Sequence, residues 1–411
     1  MPPAPLQIPG ARLEPVDWAA VDGWASDDHA EAYATFLASC RAIVNRGAAR
    51  GETRPIYPGL KTVCRRALRA VPRDADGARR FFEENFHPYR IARVEETEGF
   101  LTGYYEPIVA GSRVRTDEYT VPMYRRPSDL VALGQRRKGG FPNKGKVGRR
   151  VGKGKKSKLV DYHDRAAILD GALAGRGLEI CWLKDPIDAF FIHIQGSARV
   201  QLEDGGVLRL NYEAHNGHPY TPVGRILIDR GIVPKEEMSL ARIRDWMAEN
   251  PQEGEELRRK NKSFVFFRVT ELQDHEEAVG AQGVPLTTLR SIAVDRALHV
   301  YGTPFFIDAE LPIASVDAAT PFRRLMIAQD TGSAIVGPAR ADLYFGAGDE
   351  AGRVAGRIRH PARFTMLVPR EVDPALRRAP LPRPRPAAAV VASENDAKPG
   401  EAPLPRPRPR T

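Results

Sequence analysis

Cysteine is scarce in this sequence, and its scarcity excludes several kinds of site. The 411 residues contain three cysteines, Cys40, Cys64 and Cys181, and no CxxC spacing. A disulfide framework, a cysteine zinc site and a CxxC redox pair are therefore not expected. Only His215 and His218 lie close together, in HNGHP, where Gly and Pro indicate a turn. We expect no metal ion and no other cofactor.

Long apolar runs and the common nucleophile motifs are also missing. No run approaches the ~18 apolar residues that cross a bilayer. The first residues, MPPAPLQIPGARLEP, lack a basic region followed by an apolar one, and no lipid-attachment cysteine is visible there. The sequence as it stands therefore predicts neither a membrane span nor a secretion signal. There is no GxSxG elbow, and the glycine-rich stretch DTGSAIVGP lacks the Lys of a phosphate-binding loop.

The positive charge is concentrated in one stretch. Lys and Arg exceed Asp and Glu by 62 − 52 = 10, and residues 136–158 alone hold eleven Lys or Arg with no acid. This glycine-rich stretch is either a solvated flexible loop or a patch that touches a polyanion. Phe141 is its only aromatic residue, so nucleic-acid binding is not expected.

The C-terminal end departs from globular composition. Residues 374–411 contain ten prolines and repeat APLPRPRP at 379–386 and 402–409. Such a segment favours extended polyproline-like conformations over a packed core. We expect a disordered tail over 371–411 that is able to bind a protein partner.

Helical periodicity dominates the first ninety residues. Apolar residues recur at helical spacing over 27–46, with Ser26 as the expected N-cap, and again over 60–68 and 78–86. A further helix is predicted over 221–230. Cys40 and Cys64 lie on the apolar faces of the first two helices, and the sequence leaves open whether they pair or stay free.

From Phe100 onward the pattern changes to short apolar or alternating runs separated by turn residues. This spacing predicts β-structure, most simply barrels. The predicted strands are AFFIHIQG, GVLRLNY, SFVFFRV, PFFIDAEL, RLMIAQD and RFTMLVP.

Three aspartates stand in or at the end of such runs. Asp295 lies in SIAVDRALHVYGTP, Asp330 in IAQDTGSAIVG and Asp342 in ARADLYFGAGD. A strand normally places an aliphatic side chain there, so each carboxylate is either hydrogen-bonded in a tight turn or chemically active. Spacing alone leaves both interpretations open.

Six segments in order resemble the membrane-bound lytic murein transglycosylase A family, with its C-terminal three-aspartate domain. The segments are GFLTGYYEP (99–107), DPIDAFFIHIQGSARVQLEDG (185–205), NGHPYTPVGRILIDRG (216–231), NKSFVFF (261–267), GVPLTTLRSIAVDRALHVYGTP (283–304) and IAQDTGSAIVGPARADLYFGAGDEAG (327–352).

The resemblance implies a mainly β fold with N-terminal helices. A double-psi β-barrel would combine the helical residues 1–102 with the three-aspartate residues 269–370. A second, barrel-like β-domain for substrate binding would be inserted at 103–268, and sugar strands would lie in the groove between the two.

The resemblance also implies an activity and its residues. The family cleaves the β-1,4 bond between N-acetylmuramic acid and N-acetylglucosamine without water, because the C6 hydroxyl attacks C1 and closes a 1,6-anhydro ring. Asp342 matches the catalytic aspartate that acts as general acid and base, with Asp330 and Asp295 in support. For the groove, the residue types favour Tyr104, Tyr105, Glu106, Gln195, Ser197 and Arg199, which offer stacking faces and hydrogen bonds to sugars, although tyrosines in a strand also pack in cores. Thr331 and Gly332 follow Asp330 closely enough to orient it and are placed with the substrate-binding residues.

Two alternatives remain at this level. The chain could be an inverting β-glycosidase that uses Asp342 and Asp330 as its two carboxylates. It could also be a non-catalytic cell-wall-binding protein whose aspartates only brace turns. The resemblance implies a periplasmic protein with peptidoglycan as partner, and outer-membrane association if an upstream signal or lipid anchor exists.

Overall fold

The structure is a computed structural model that describes residues 6–45, 52, 54–70, 72–133, 146–152, 157–273, 276–315 and 319–372. The predicted Pro/Arg-rich tail beyond 372 and residues 134–145 and 153–156 of the basic stretch lie outside these ranges.

Strands are the most abundant regular element of the described chain. They are β1 Ala11–Pro15, β2 Phe86–Arg93, β3 Gly99–Glu106, β4 Ile108–Ser112, β5 Val121–Tyr124, β6 Leu130–Ala132, β7 Val147–Val151, β8 Lys158–Val160, β9 Glu179–Leu183, β10 Ser197–Leu202, β11 Val207–His215, β12 Val265–Val269, β13 Ser291–Val294, β14 Pro304–Leu311, β15 Thr320–Asp330, β16 Arg340–Ala347 and β17 Arg359–Pro369.

Helices lie before the first long strands, within the middle of the chain and between β16 and β17. They are α1 His29–Asn45, α2 Ile56–Ala67, α3 Ala75–Asn85, α4 Arg165–Ala167, α5 Pro186–Gln195, α6 Val223–Asp229, α7 Leu240–Glu249, α8 Pro251–Lys260 and α9 Gly348–Ala355.

A closed six-stranded barrel forms the larger half of the molecule. Its strand order is β17-β14-β15-β13-β16-β3, and pairing of β3 with β17 closes the ring, while β2 and then β1 extend from β17. Two of the barrel pairs, β13 with β15 and β16 with β3, are parallel. The predicted mainly β chain with N-terminal helices is therefore confirmed.

Helices α1, α2 and α3 share one hydrophobic core with the barrel strands. They match the three predicted helical stretches, but Ser26 is not the N-cap of α1. The Asp28 carboxylate accepts the N–H groups of Ala30 and Glu31, and this caps the first turn instead. A disulfide joins Cys40 of α1 to Cys64 of α2, with their Cα atoms 4.8 Å apart.

A second sheet lies between β3 and β13 in the sequence. Its order is β12-β11-β10-β4-β9-β5, and an isolated parallel bridge between Arg125 and Phe267 joins its two edges. Strands β6, β7 and β8 form a separate small sheet. The prediction of a loop over the whole of 136–158 is therefore wrong for β7, whose Val147 packs into an apolar cluster.

The segment AFFIHIQG is also not a strand but most of helix α5. Asp185 caps the helix by accepting the N–H of Ile187 at 2.7 Å, Pro186 occupies the first turn, and Gly196 ends it with φ of +86°. The run is apolar on several faces because the helix packs between two clusters, with Ile192 in one and Phe190 in the other. The predicted helix over 221–230 is confirmed as α6.

Within the described ranges, no helix combines the length and the apolar character that a membrane crossing needs.

Candidate active site

Strand register brings Asp330 and Asp342 to opposite sides of β13. Ala293 of β13 is the register partner of Asp330 on one neighbouring strand and of Asp342 on the other. On β3, Thr102 is in turn the partner of Asp342. Because neighbouring strands lie about 4.8 Å apart, two such spacings separate the backbones of the two aspartates.

Side-chain alternation along the strands directs Thr102 and Asp342 away from the barrel core. Leu101, Ala341 and Leu343 are fully buried in that core. Successive residues of a strand point to opposite faces, so Thr102 and Asp342 lie on the other face. The sequence therefore places a carboxyl on a face that an aliphatic core does not fill.

The Asp342 carboxyl is held by a threonine that is itself held by an arginine. Thr102 Oγ1 donates to Asp342 Oδ1 at 2.5 Å, and Arg340 Nη2 donates to Thr102 Oγ1 at 2.7 Å. Burial raises the pKa of Asp342, while the charge of Arg340 and the Thr102 hydrogen bond oppose the rise. The site thus favours the protonated form more than water does, as a proton donor requires.

Asp330 has a different set of partners. Its Oδ1 accepts the backbone N–H groups of Ala281 and Thr331, each at 2.8 Å, and its Oδ2 accepts the Tyr104 hydroxyl at 3.1 Å. Burial raises the pKa of Asp330 to about 6, the three hydrogen bonds lower it, and the charge of Asp342 raises it. The two carboxyls are therefore electrostatically coupled.

The Asp295 carboxylate accepts hydrogen bonds from two backbone N–H groups. Its Oδ1 accepts the N–H of Ala297 at 2.8 Å, and its Oδ2 accepts the N–H of Gly337 at 3.1 Å. The side chain is buried at the end of β13. These contacts hold a turn and the loop before β16, which was one of the two interpretations that the sequence left open.

The predicted groove residues fall into separate groups. Tyr104 and Thr331 each donate a hydrogen bond to Asp330, and the exposed Gly332 follows Thr331 in the chain. Tyr105 donates its backbone N–H to Gln195 Oε1 at 3.1 Å, which joins β3 to the end of α5. Of the remaining three, Ser197 and Glu106 are buried, and Arg199 is half-buried beside them.

Glu106 and Arg199 belong to an ion cluster. Glu106, with only 1% of its side chain exposed, accepts from Arg199 Nε at 2.7 Å and from Arg209 Nη2 at 3.2 Å. Arg199 also pairs with Glu277 at 2.9 Å, and Glu277 accepts the Tyr344 hydroxyl at 2.9 Å. Burial raises the pKa of Glu106 although both arginines lower it. The cluster connects β10 and β11 of the second sheet to β3 and β16 of the barrel.

Several site residues were missed at the sequence level. Thr102 and Arg340 could have been found, because each stands two positions before a predicted site residue on the same strand and so shares its face. Tyr220 has no such local signal. Burial raises the pKa of Tyr220 to about 12, the charge of Arg165 opposes this rise, and the charge of Asp342 adds to it. Tyr220, which lies between β11 and α6, is therefore close enough to Asp342 to interact with its charge.

Within the described residues of the chain, no three His, Cys, Asp or Glu side chains converge as metal ligands would.

Comparison with known proteins matches both halves of this site. Residues 100–268 match the MltA specific insert domain, and residues 290–368 match the 3D domain. The crystal structure of a membrane-bound lytic murein transglycosylase from Agrobacterium tumefaciens superposes with a TM-score of 0.76 at 37% identity, covering 87% of this chain and 98% of that one. This chain belongs to the membrane-bound lytic murein transglycosylase A family.

Other members of the family agree. The curated membrane-bound lytic murein transglycosylase A of Escherichia coli K12 is 35% identical over 275 residues, which are 65% of this chain and 65% of that protein. The crystal structure of the E. coli protein with bound chitohexaose has a TM-score of 0.59 at 27% identity, and the match covers 90% of this chain and 95% of that one. The resemblance carried by the six sequence segments is thus confirmed.

Proposed function

We propose that this chain is a peptidoglycan lytic transglycosylase. It would cleave the β-1,4 bond between N-acetylmuramic acid and N-acetylglucosamine without water and leave 1,6-anhydromuramic acid ends. The observation that carries the proposal is the buried Asp342 carboxyl, whose pKa is raised and whose Oδ1 accepts the Thr102 hydroxyl. The sequence resemblance implies that Asp342 takes the role of the family's catalytic aspartate. The names of the family members support the same activity.

One carboxyl group is sufficient for this chemistry. Protonated Asp342 donates its proton to the glycosidic oxygen as the bond from that oxygen to C1 breaks. The resulting carboxylate then takes the proton of the C6 hydroxyl, whose oxygen bonds to C1. The proton given in the first step is thereby recovered in the second, and Asp342 ends as it began.

Asp330 would act beside this reaction. Its negative charge, when ionised, stabilises positive charge that develops at C1 in an oxocarbenium-like transition state. Tyr104 keeps its proton, because burial and then the charge of Asp330 raise its pKa well above the usual value, so it remains a donor to that carboxylate. Asp295 would support both by holding the loop before β16.

The predicted groove residues have two roles in this proposal. Tyr104, Tyr105, Gln195, Thr331 and Gly332 are partly or well exposed and are available to a sugar strand. Buried Glu106 and Ser197 would position the groove from behind it, and half-buried Arg199 would do so through its bond to Glu106. Support for an amino-sugar strand as ligand comes from the E. coli relative, whose crystal structure contains chitohexaose.

The proposal extends to the architecture of the two domains and the tail. The closed barrel would be a double-psi barrel built from residues 1–102 and 269–370, in keeping with its two parallel pairs. The insertion 103–268 would be a second barrel-like domain, since the Arg125–Phe267 bridge connects the edges of its sheet. The tail would begin after Val372 rather than at 371, because Glu371 pairs with Arg66 and Val372 packs against the barrel core.

A periplasmic location fits this proposal, because disulfides such as Cys40–Cys64 form in oxidising compartments. Association with the outer membrane stays a prediction.

Mass spectrometry of products from purified sacculi tests the activity. We expect muropeptides with anhydro ends from the wild-type chain. Asp342→Asn should lower their release at least ~10²-fold, the usual effect of removing a general acid. Asp229→Asn, the same change at an exposed position on α6, is the matched control and should leave release unchanged. Undiminished release by Asp342→Asn would refute the assignment.

A second candidate function is an inverting β-glycosidase. The observation in its favour is the second buried carboxyl, Asp330, on the other side of β13 from Asp342; burial raises its pKa to about 6, and when ionised it could act as a base for water. The same experiment separates the two, because hydrolysis yields reducing ends with one added water. Binding to sacculi without any released product would instead favour a non-catalytic wall-binding protein.

A further inference from the structure

A buried hydrogen-bonded cluster lies behind Asp330. Gln329, the residue before it, is fully buried, and its Nε2 donates to Ser39 Oγ at 2.9 Å and to Thr35 O at 3.1 Å. Its Oε1 accepts the Ser291 hydroxyl. Barrel strands β15 and β13 are thereby joined to helix α1 by side chains that water does not reach.

Gln282 extends this cluster to the turn that faces Asp330. Ser39 Oγ donates to Gln282 Oε1 at 2.8 Å, and Gln282 Nε2 donates to Ser39 O at 3.4 Å. The backbone N–H of Gln282 donates to Gln329 O at 3.0 Å. Side chain and backbone together therefore fix Gln282 against both α1 and β15.

The turn over residues 280–284 is tight and packs closely against β15. The Gly280 N–H donates to Val284 O at 3.0 Å, and a Cβ added to Gly280 would lie 2.6 Å from Gln329 O. Ala281, between Gly280 and the anchored Gln282, has its N–H directed at Asp330 Oδ1 at 2.8 Å. That N–H can reach the carboxylate only while the turn keeps this position.

We propose that Gln282, anchored on Ser39 of α1, is a positioning residue that keeps the Ala281 N–H on Asp330 Oδ1 and so orients this carboxylate beside Asp342. The proposal rests on the proposed function for its consequence in catalysis. Gln282 itself touches no reacting atom, because it is buried and packed against the helix.

The variants separate this role from general stabilisation of the core. Gln282→Met keeps the length and shape of the side chain but removes both hydrogen bonds to Ser39. Ser39→Ala removes the bond from Ser39 Oγ to Gln282 Oε1, and with it the Gln329 bond to Ser39 Oγ, but leaves the Gln282 bond to the Ser39 carbonyl; it serves if Gln282→Met does not fold. Ser291→Ala is the matched control, since it removes the Ser291 bond to Gln329 in the same buried cluster, and the bond that Ser291 Oγ accepts from the Thr287 N–H, while leaving the bonds of Gln282 to Ser39 in place.

The decisive readout is the titration of the Asp330 carboxyl carbon by NMR in protein labelled at aspartate, with the signal assigned by its absence in Asp330→Asn. Losing one N–H donor to a carboxylate should raise the titration midpoint of Asp330 by about one pH unit in Gln282→Met or Ser39→Ala. Ser291→Ala should titrate as the wild type does. An unshifted midpoint in both test variants, or an equal shift in the control, would overturn the proposal.

The pH profile of anhydro-product release links this to catalysis. If ionised Asp330 supports the reaction, the acidic limb of the profile should move by the same amount and in the same direction as the titration. A shifted titration in a chain that releases no anhydro product would leave the positioning role intact and refute the proposed function. A shifted titration with an unshifted acidic limb in an active enzyme would refute the catalytic aspect of the positioning role.

Discussion

Replacing Asp330 by asparagine should stabilise this protein at neutral pH while impairing its activity. The carboxyl has a pKa of about 6 in the folded chain, against 3.8 ordinarily, because burial penalises its charge. Asparagine has nearly the same shape, and its amide oxygen can still accept from Ala281 and Thr331. The variant therefore removes the buried charge and keeps most of the contacts.

The size and the pH window follow from the shift. Below about pH 4 the carboxyl is protonated in both folded and unfolded chains, so its ionisation contributes nothing to stability. Between about pH 4 and 6 the unfolded chain ionises first, and above about pH 6 both are ionised and the folded state carries the full penalty. About two pKa units at about 1.36 kcal/mol each correspond to about 3 kcal/mol. Asp330→Asn should regain that amount above about pH 7 and almost none below about pH 4.

Urea denaturation at several pH values between about 4 and 8 measures this difference. The free energy of unfolding of Asp330→Asn relative to wild type should rise with pH and level off near pH 7. Asp229→Asn, at an exposed position, should show no comparable rise. A gain that does not depend on pH, or a loss of stability at pH 7, would refute the conclusion that burial of this charge weakens the fold.

Three further predictions concern other regions of the chain. Cys40→Ser with Cys64→Ser should lower the free energy of unfolding by about 3 kcal/mol, as expected for cross-linking across a separation of 24 residues; three free thiols in the unfolded, non-reduced wild type would contradict the bridge. Thr102→Val removes a hydrogen bond that lowers the pKa of Asp342, so the basic limb of the activity profile should move to higher pH, and an unmoved limb would argue against Asp342 as the acid. Exchanging the four Lys and Arg residues of 136–145 for Ser should weaken sacculus binding at ~0.1 M salt but hardly at ~1 M, where the Debye length falls from ~10 Å to ~3 Å; equal weakening at both would exclude long-range attraction.

The error at AFFIHIQG illustrates what local patterns decide and what they do not. A short apolar run fits a buried strand and a buried helix equally well. The distinguishing signals were present outside the run, with Asp185 and Pro186 before it and Gly196 after it, which are the residues of a helix start and stop. The run lacks a polar face because both sides of α5 are covered by other segments of the insertion.

Strand alternation and the resemblance to known motifs were enough to predict part of the site. Asp330 and Asp342 were named from sequence, and alternation along β3 and β16 extends to Thr102 and Arg340. Contacts made by distant segments have no local signature. The placement of Glu277 in the ion cluster depends on how the insertion packs on the barrel, and no spacing within the chain encodes it.

Closure of the barrel also has a consequence for the order of events during synthesis and folding. Thr102 of β3 contacts Asp342 of β16, 240 positions later in the chain. Until β16 and β17 have been made, β3 has neither of its barrel neighbours and leaves both of its hydrogen-bonding edges unpaired. Contacts between such distant segments form slowly, and open strand edges invite pairing with other chains. A nascent chain of this protein is thus most prone to self-association during the interval in which the whole insertion emerges, before its own last strands arrive to occupy those edges.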